Sequence, residues 1–189
     1  MKEAIQFPDK FPVLETQRLS LSSFEPSDID RFFQLRSNEE FVKYLGLPPM
    51  SKRSAARDRV HEIIQAFMVR EGISWKISLK NKSELIGYIG YWQINFRHHR
   101  AEIGFGIDEK HQKTGLISEA MPKVLEYGFQ EMNIHRIEAD IDPKNRASSK
   151  VLAKFGFQKE GYFRENYFFN QRFIDSEYHG LLKKDFQSP

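Results

Sequence analysis

The sequence predicts a mixed α/β fold in which a mostly antiparallel central sheet is flanked by helices. Apolar residues recur mainly at helical spacing in the first 72 residues, and residues 75–108 contain three short apolar segments separated by polar turns. Helix and strand patterns then alternate to the end of the chain. With 189 residues, 40% of them hydrophobic, the chain can bury a substantial core, so we expect one domain over residues 1–189.

The amino-terminal part predicts a strand followed by helices. Residues 18–24, RLSLSSF, alternate in polarity as a half-buried strand does. The Pro-Ser-Asp segment at 26–28 is a helix start, and the apolar residues after it have helical spacing. Asn38 can open a second short helix, which Gly46 and the following prolines end. A longer helix with one apolar stripe is expected over about 51–70.

The remaining segments predict a meander, two helices and a closing hairpin. The meander strands read WKISLK, LIGYIGYWQINF and AEIGFGID. Downstream we expect a helix over 115–132, a strand over 134–142 and a helix over 146–155. The final hairpin turns at 170–171, and no internal repeat or low-complexity linker interrupts the order.

The composition excludes several classes of protein. The chain has no cysteine, which removes disulfide frameworks, thiolate zinc sites and cysteine nucleophiles. Its six histidines lack metal-ligand spacing and it has no G-x-S-x-G motif, so we expect no metal and no serine-hydrolase chemistry. The net charge is +3, but basic and acidic residues are interspersed, so we expect no direct nucleic-acid partner. Neither a signal-like segment nor an apolar run of membrane-spanning length is apparent, so we expect a cytoplasmic protein without a membrane partner.

The most informative segment is a glycine-containing turn that leads into an amphipathic helix. It consists of Gln112, Lys113, Thr114, Gly115, Leu116 and Ile117. Such a turn aims free backbone N–H groups and the positive end of a helix dipole at one point, where a pyrophosphate can bind. Taken alone, the segment also suits an ordinary strand-to-helix loop.

With its neighbours, this turn resembles the acetyl-CoA pyrophosphate loop of the GNAT superfamily, Q/R-x-x-G-x-G/A. Ile117 departs from the small residue usual at the last position, and we expect its side chain to turn into the core. Further motifs resemble, in order and spacing, the RimJ/RimL-like branch of that superfamily, which acetylates ribosomal proteins. They are LxTxRLxL from 14, GYIG from 87, RAEIGF from 100, HRIEA from 135, DPxNxxS from 142 and KFGFxxEG from 154. The resemblance implies the GNAT acyl-CoA N-acyltransferase fold and acetyl-CoA as cosubstrate.

The resemblance also implies which groups hold and polarise the thioester. The backbone of Phe105, Gly106 and Ile107 would bond to the pantetheine arm, and the amide of Ile107 would polarise the thioester carbonyl. Asn145 would add a hydrogen bond to pantetheine. Its residue type also suits a plain helix cap for the helix that follows, and both roles are compatible.

Two residues are candidates for proton transfer. Glu102 is the candidate general base, because it lies on the strand next to the expected cleft. The structural alternative is an ordinary cross-strand ion pair with Arg100, Arg136 or a neighbouring strand. Ser148 is implied as the donor to the departing thiolate. Many superfamily members place a tyrosine seven residues after the asparagine, but that position is Leu152 here.

These residues favour an acetyl-CoA-dependent N-acetyltransferase that transfers the acetyl group directly to a primary amine. The acceptor we favour is the N-terminal α-amine of a protein, with a polyamine or an aminoglycoside-like amine as the alternative. A non-catalytic acyl-CoA-binding domain and a structural homodimer with a vestigial groove are hypotheses from other classes. Retention of Glu102, Ser148 and the 112–117 loop favours the enzyme, whose assembly as a homodimer stays open.

The acceptor groove is expected between the 41–70 segment and the closing hairpin. By resemblance it is lined, among others, by Tyr44, Leu45, Leu47, Tyr162, Tyr167 and Phe168. This set predicts an aromatic and apolar groove with few acidic groups. A polyamine carries several positive charges and needs carboxylates, whereas a peptide terminus needs apolar contacts and one amine site.

Overall fold

A computed structural model describes residues 4–187 and contains one eight-stranded sheet. The strands are β1 (Leu14–Glu15), β2 (Leu19–Ser22), β3 (Ile73–Leu79), β4 (Gly87–Asn95), β5 (Arg100–Ile107), β6 (Arg136–Ile141), β7 (Gln158–Phe169) and β8 (Arg172–Leu182). The α-helices are α1 (Ile29–Ser37), α2 (Glu39–Val42), α3 (Arg53–Met68), α4 (Leu116–Glu126) and α5 (Arg146–Lys154). Short 3₁₀ turns cover Pro26–Asp28 and Glu109–His111, and a π-helical turn covers Tyr127–Glu131.

The sheet order is β1-β2-β3-β4-β5-β6-β8-β7. Every neighbouring pair is antiparallel except β5 and β6, which run parallel. The prediction of a mostly antiparallel sheet with flanking helices is therefore confirmed. Each helix, meander strand and hairpin strand expected from the sequence is present, with boundaries shifted by a few residues.

The helix expected over 115–132 changes character near its end. The Tyr91 hydroxyl donates a hydrogen bond to the Val124 carbonyl at 2.7 Å, which competes with the helical N–H for that acceptor. A side chain at Gly128 would meet the same hydroxyl at 2.4 Å, so only glycine permits this approach. The α-helix accordingly ends at Glu126 and a π-helical turn follows.

Two apolar clusters hold the sheet between its helices. The larger one packs α4 against β2 to β6 and includes Trp75, Tyr91 and Met121, all fully buried. The smaller one joins α1 and α3 to the opposite face, where Phe32 and Phe41 contact the Tyr88 ring. In residues 4–187, no helix has the length and apolar character needed to cross a membrane.

A buried ion pair joins the start of α1 to the sheet. The Lys76 ammonium donates to both carboxylate oxygens of Asp28 at 3.1 Å, and the two side chains are only 7% and 6% exposed. Asp28 also accepts a hydrogen bond from the backbone N–H of Glu25 at 2.8 Å. Removing one partner of such a pair leaves an uncompensated charge in a poorly hydrated position.

We therefore predict that Asp28→Ala lowers the free energy of unfolding by about 3–5 kcal/mol. The matched control is Asp30→Ala. Asp30 lies two residues after Asp28, and its exposed carboxylate pairs with Arg53, so its removal should change stability far less. Urea denaturation of both variants measures the difference. Equal losses would show that the Lys76 pair does not anchor α1.

Candidate active site

The central feature of the site is a gap between the two parallel strands. β5 and β6 pair only over Arg100–Glu102 with Arg136–Glu138, although β5 continues to Ile107 and β6 to Ile141. Past Glu102, the backbone groups of β5 that point away from β4 have no strand partner in this pairing. Phe105, Gly106 and Ile107 lie along this gap, where an extended arm can add to the free strand edge.

The predicted phosphate-binding turn follows β5 and opens α4. Gly115 is the N-cap of α4 and has φ of +82°, and Lys113 has φ of +60°. These left-handed conformations reverse the chain tightly before the helix begins. Residues 112–115 are exposed, so the first N–H groups of α4 open toward solvent at the end of β5. Ile117 packs against the larger core, as expected.

The turn is fastened to the amino-terminal strands through Glu119. The Glu119 carboxylate accepts hydrogen bonds from the Thr16 hydroxyl at 2.5 Å and from the Arg18 backbone and guanidinium at 2.7 and 2.6 Å. Arg18 also donates to the carbonyl of Thr114 at 3.2 Å. Burial opposes ionisation, but these hydrogen bonds hold the pKa of Glu119 below its usual value. Sequence reasoning assigned no role to this cluster, although Thr16 and Arg18 belong to a quoted motif.

Asn145 and Ser148 begin α5 directly after β6. The Asn145 side-chain oxygen accepts the backbone N–H of Ser148 at 3.1 Å, so the capping role is confirmed. The amide nitrogen of Asn145 keeps its two donors for a further partner. Both side chains are half-buried, whereas Leu152 is fully buried in the larger core.

One face of the sheet carries three carboxylates around the end of the β5–β6 pairing. Glu102 and Glu138 are opposed in the parallel register, so their side chains share a face, and Asp140 follows two residues later on the same side. We call this the carboxylate face. Trp92 is opposed to Glu102 on β4, and its ring occupies the space over Gly104, since a Cβ there would lie 1.7 Å from the indole.

The basic residues near this face neutralise Glu138 and leave Glu102 without an ion pair. Arg100 donates to Glu138 at 2.9 Å and Arg136 at 2.7 Å. In residues 4–187, no basic side chain lies within salt-bridge distance of Glu102 or Asp140. The structural alternative for Glu102, an ion pair with Arg100 or Arg136, is therefore wrong.

Burial controls the protonation of these two free carboxylates. Burial raises the pKa of Glu102, and the negative charges of Asp140 and Glu138 raise it further, against a hydrogen bond from Trp92. Burial likewise raises the pKa of Asp140, against hydrogen bonds from surrounding hydroxyls. A carboxylate with a raised pKa is a stronger base, which suits proton removal from an amine.

The closing hairpin brings a tyrosine onto the same face. The Tyr167 hydroxyl donates a hydrogen bond to Asp140, and Tyr162 donates in the same way to Asp175 further along the hairpin. The expectation of a groove with few acidic groups is therefore wrong at Tyr167, because Asp140 accepts its hydroxyl and Glu102 lies on the same face. Sequence reasoning missed Asp140; its two-residue spacing from Glu138 in a strand was the available signal.

Comparison with known proteins agrees with this geometry. The profile of the acetyltransferase (GNAT) domain matches residues 18–158. The uncharacterized N-acetyltransferase YoaA of Bacillus subtilis is 36% identical over 173 residues, covering 92% of this chain and 98% of the relative. The [ribosomal protein uS5]-alanine N-acetyltransferase of Escherichia coli is 34% identical over 86 residues, covering 45% of this chain and 44% of that protein.

A solved structure shows the same fold. Spermidine N-acetyltransferase from Vibrio cholerae, in complex with CoA and spermine, superposes with a TM-score of 0.79 at 23% identity, covering 88% of this chain and 96% of that one. Fold and comparisons together define an acyltransferase. The chain belongs to the GNAT acetyltransferases, with ribosomal-protein N-acetyltransferases of the RimJ/RimL type among its relatives, and it uses acetyl-CoA as cosubstrate. In residues 4–187, no group of His, Asp or Glu side chains could hold a metal ion.

The turn at Gly115 generates a prediction on cosubstrate binding. A Cβ at Gly115 meets nothing closer than Arg18 at 3.7 Å, so Gly115→Ala introduces backbone strain and no clash. A left-handed non-glycine residue costs about 1–2 kcal/mol, which corresponds to roughly 5- to 30-fold weaker acetyl-CoA binding if the loop relaxes. Calorimetry with acetyl-CoA and no acceptor measures it.

Gly46→Ala is the matched control, because Gly46 has φ of +64° and no neighbour within 4 Å of an added Cβ, and it lies outside this turn. It should leave acetyl-CoA affinity unchanged. Wild-type affinity in Gly115→Ala would contradict the assignment of residues 112–117 to the pyrophosphate.

Proposed function

We propose that this enzyme acetylates the N-terminal α-amine of a peptide or protein in the cytoplasm, with Glu102 as general base and Ser148 as the donor to the departing thiolate. The observation that carries the proposal is the position of Glu102. It is a half-buried carboxylate without an ion pair, at the last residue before β5 and β6 separate. The acetyl thioester would lie against the free edge of β5 directly beyond it.

Each residue has a distinct task in the proposed reaction. Acetyl-CoA supplies an activated acetyl group as a thioester. The backbone N–H of Ile107 polarises the thioester carbonyl, and Glu102 takes a proton from the amine, directly or through a water. Ser148 delivers its hydroxyl proton to the sulfur as the thioester bond breaks and regains a proton from solvent. Asn145 binds the pantetheine arm with its amide donors while its oxygen holds the start of α5.

Exposed apolar side chains on the two segments that we expect to line the groove support a peptide acceptor. Leu45 and Leu47 follow α2, and Tyr167 and Phe168 lie on β7, all 37–66% exposed. An extended peptide offers apolar side chains to such surfaces and a single amine to the base. The uS5-alanine relative, which by name acts on a protein alanine, points to the same acceptor.

A polyamine is the second candidate, and the carboxylate face favours it. Glu102 and Asp140 are two carboxylates without ion pairs on one surface, which is the arrangement that a polycation needs. The spermidine enzyme with the same fold is consistent with this acceptor.

Substitutions separate the roles of the two proton-transfer residues. Glu102→Gln should lower kcat by about 100-fold or more, because general base catalysis contributes at least that much.

Ser148→Ala should lower kcat far more than it weakens acetyl-CoA binding, because the donor acts mainly in the transition state. Thiol release measures kcat, and calorimetry measures affinity. Parallel losses of turnover and affinity in Ser148→Ala would make it a binding residue.

Activity should also depend on the ionisation of Glu102. The base works only when deprotonated, and burial raises its pKa, so kcat should fall as the pH drops through that raised pKa. Glu102→Gln should remove the contribution of Glu102 to this fall of kcat at low pH. If kcat fell at low pH in the same way in Glu102→Gln as in the wild type, a group other than Glu102 would be responsible for that fall.

The acceptor is tested by comparing initial rates for a short peptide beginning with Ala or Ser and for spermidine at equal concentration. We expect faster acetylation of the peptide, since the apolar surfaces at Leu47 and Phe168 have no counterpart in spermidine. An N-acetylated copy of the peptide is the control and should give no thiol release. Faster turnover of spermidine would select the second candidate, and no release with any amine would refute both.

A further inference from the structure

Acetylation of a protonated amine requires the removal of two protons from nitrogen. The ammonium R–NH₃⁺ carries three protons and the amide product carries one, while one proton ends on the thiol of CoA and one is released. Glu102 accounts for one removal in the function proposed above. A second group on the acceptor side would account for the other.

A β-bulge in the closing hairpin positions a candidate for this task. After a first register shift between Lys159 and Gly161, β7 and β8 pair regularly from Gly161 to Phe163, and pairing resumes at Tyr167 and Ile174. Residues 164–166 therefore oppose the single residue Asp175, and Glu165 has φ of +55°. In a regular ladder Glu165 would oppose Ile174. Because of the bulge, Tyr167 opposes Ile174 instead, so a phenol takes the place of a carboxylate there.

Specific hydrogen bonds maintain the bulge. Asp175 accepts the backbone N–H of Glu165 at 2.7 Å, and the Asn166 amide donates to the Ser176 hydroxyl at 2.8 Å. Bulges of this kind re-aim side chains and are common beside active sites. Here the result is that Tyr167 reaches across β8 to Asp140 on β6.

The hydrogen bond between Tyr167 and Asp140 runs in the direction that a proton relay requires. Tyr167 donates its hydroxyl proton to Asp140, so toward the outside its phenol oxygen can act only as a proton acceptor. The Tyr178 hydroxyl also contacts both Asp140 and Tyr167. The Tyr167 side chain is 46% exposed, whereas Asp140 is half-buried behind it on the carboxylate face with Glu102. The titratable groups that interact with Asp140 on this face are Glu102, Tyr167 and Tyr178, and Glu138 acts on Glu102.

We propose that Tyr167 is a catalytic residue that takes a proton from the acceptor nitrogen while passing its own hydroxyl proton to Asp140. One N–H bond breaks, the Tyr167 O–H bond breaks and re-forms, and an O–H bond forms on the Asp140 carboxylate, which later releases the proton to solvent. Asp140 is the positioning residue and proton acceptor behind Tyr167. The relay rests on the proposed amine acetylation and applies to a peptide or a polyamine acceptor.

The surroundings of the pair suit this direction of transfer. Burial raises the pKa of Asp140, which strengthens it as a proton acceptor. Burial and the hydrogen bond to Asp140 raise the pKa of Tyr167, so the phenol stays neutral between turnovers and can pass a proton on.

The test uses the full chain carrying Tyr167→Phe, Asp140→Asn or both. Each single variant should lower kcat about 100-fold with the amine that the wild type acetylates best, while the KM for acetyl-CoA stays within about twofold. Because the two residues act as a unit, the double variant should lose no more than the larger single loss. In Asp140→Asn, the fall of kcat at low pH should no longer include the protonation of Asp140 and should still include that of Glu102.

Tyr162→Phe is the matched comparison, since it breaks the same kind of Tyr–Asp pair on the same hairpin away from Glu102. The Tyr162→Phe variant should have the same pH dependence of kcat as the wild type. Thermal unfolding and acetyl-CoA calorimetry establish that each variant is folded.

Three outcomes overturn the relay: wild-type kcat in Tyr167→Phe, multiplicative losses in the double variant, or an equal change of pH profile in Tyr162→Phe. These results leave the proposed function intact if the wild type acetylates the amine. A wild type that acetylates no amine refutes the proposed function and the relay together.

Discussion

The short parallel pairing of β5 and β6 is the constraint on which the site depends. The two strands share only three residue pairs before they separate, yet each continues for several residues and is followed by an α-helix, α4 after β5 and α5 after β6. The separation leaves a free strand edge on β5, brings the amino-terminal ends of α4 and α5 to the same end of the sheet, and ends the pairing at Glu102. The gap thus brings together backbone donors of β5, the dipoles of α4 and α5 and the Glu102 carboxylate, which come from different segments of the chain.

This arrangement needs a rigid frame, because a sheet that opens in its middle loses hydrogen bonds there. The frame is supplied on both sides of the gap. On the β5 side, Thr16 and Arg18 hold Glu119 and so tie the first turn of α4 to the amino-terminal strands. On the β6 side, β8 pairs with β6 along its whole length, and Asn145 fixes the start of α5. Contacts on both sides of the gap therefore hold the opening.

Electrostatics divide the carboxylate face into a neutralised part and a reactive part. Arg100 and Arg136 both bind Glu138, and Arg136 also binds Glu160. Glu102 and Asp140 receive no such compensation, and burial raises the pKa of each. Paired charges stabilise the strands around the site, whereas the unpaired ones remain available for proton transfer. This division agrees with the general finding that perturbed ionisation marks functional positions.

The sequence by itself determined the local elements and the cosubstrate. Alternation in the meander, the glycine turn at 112–117 and Asn145 before a helix are signals within a few residues, because backbone conformation and capping are local. Ordered motifs then pointed to the family and to acetyl-CoA. Only the tertiary structure decided which carboxylates are free, since Glu102, Arg100, Arg136 and Glu138 are all plausible partners in sequence and the strand register selects among them. It also decided the acidic character of the hairpin side, because Asp140 and Tyr167 are 27 residues apart and meet only through the pairing of β6, β8 and the bulged β7.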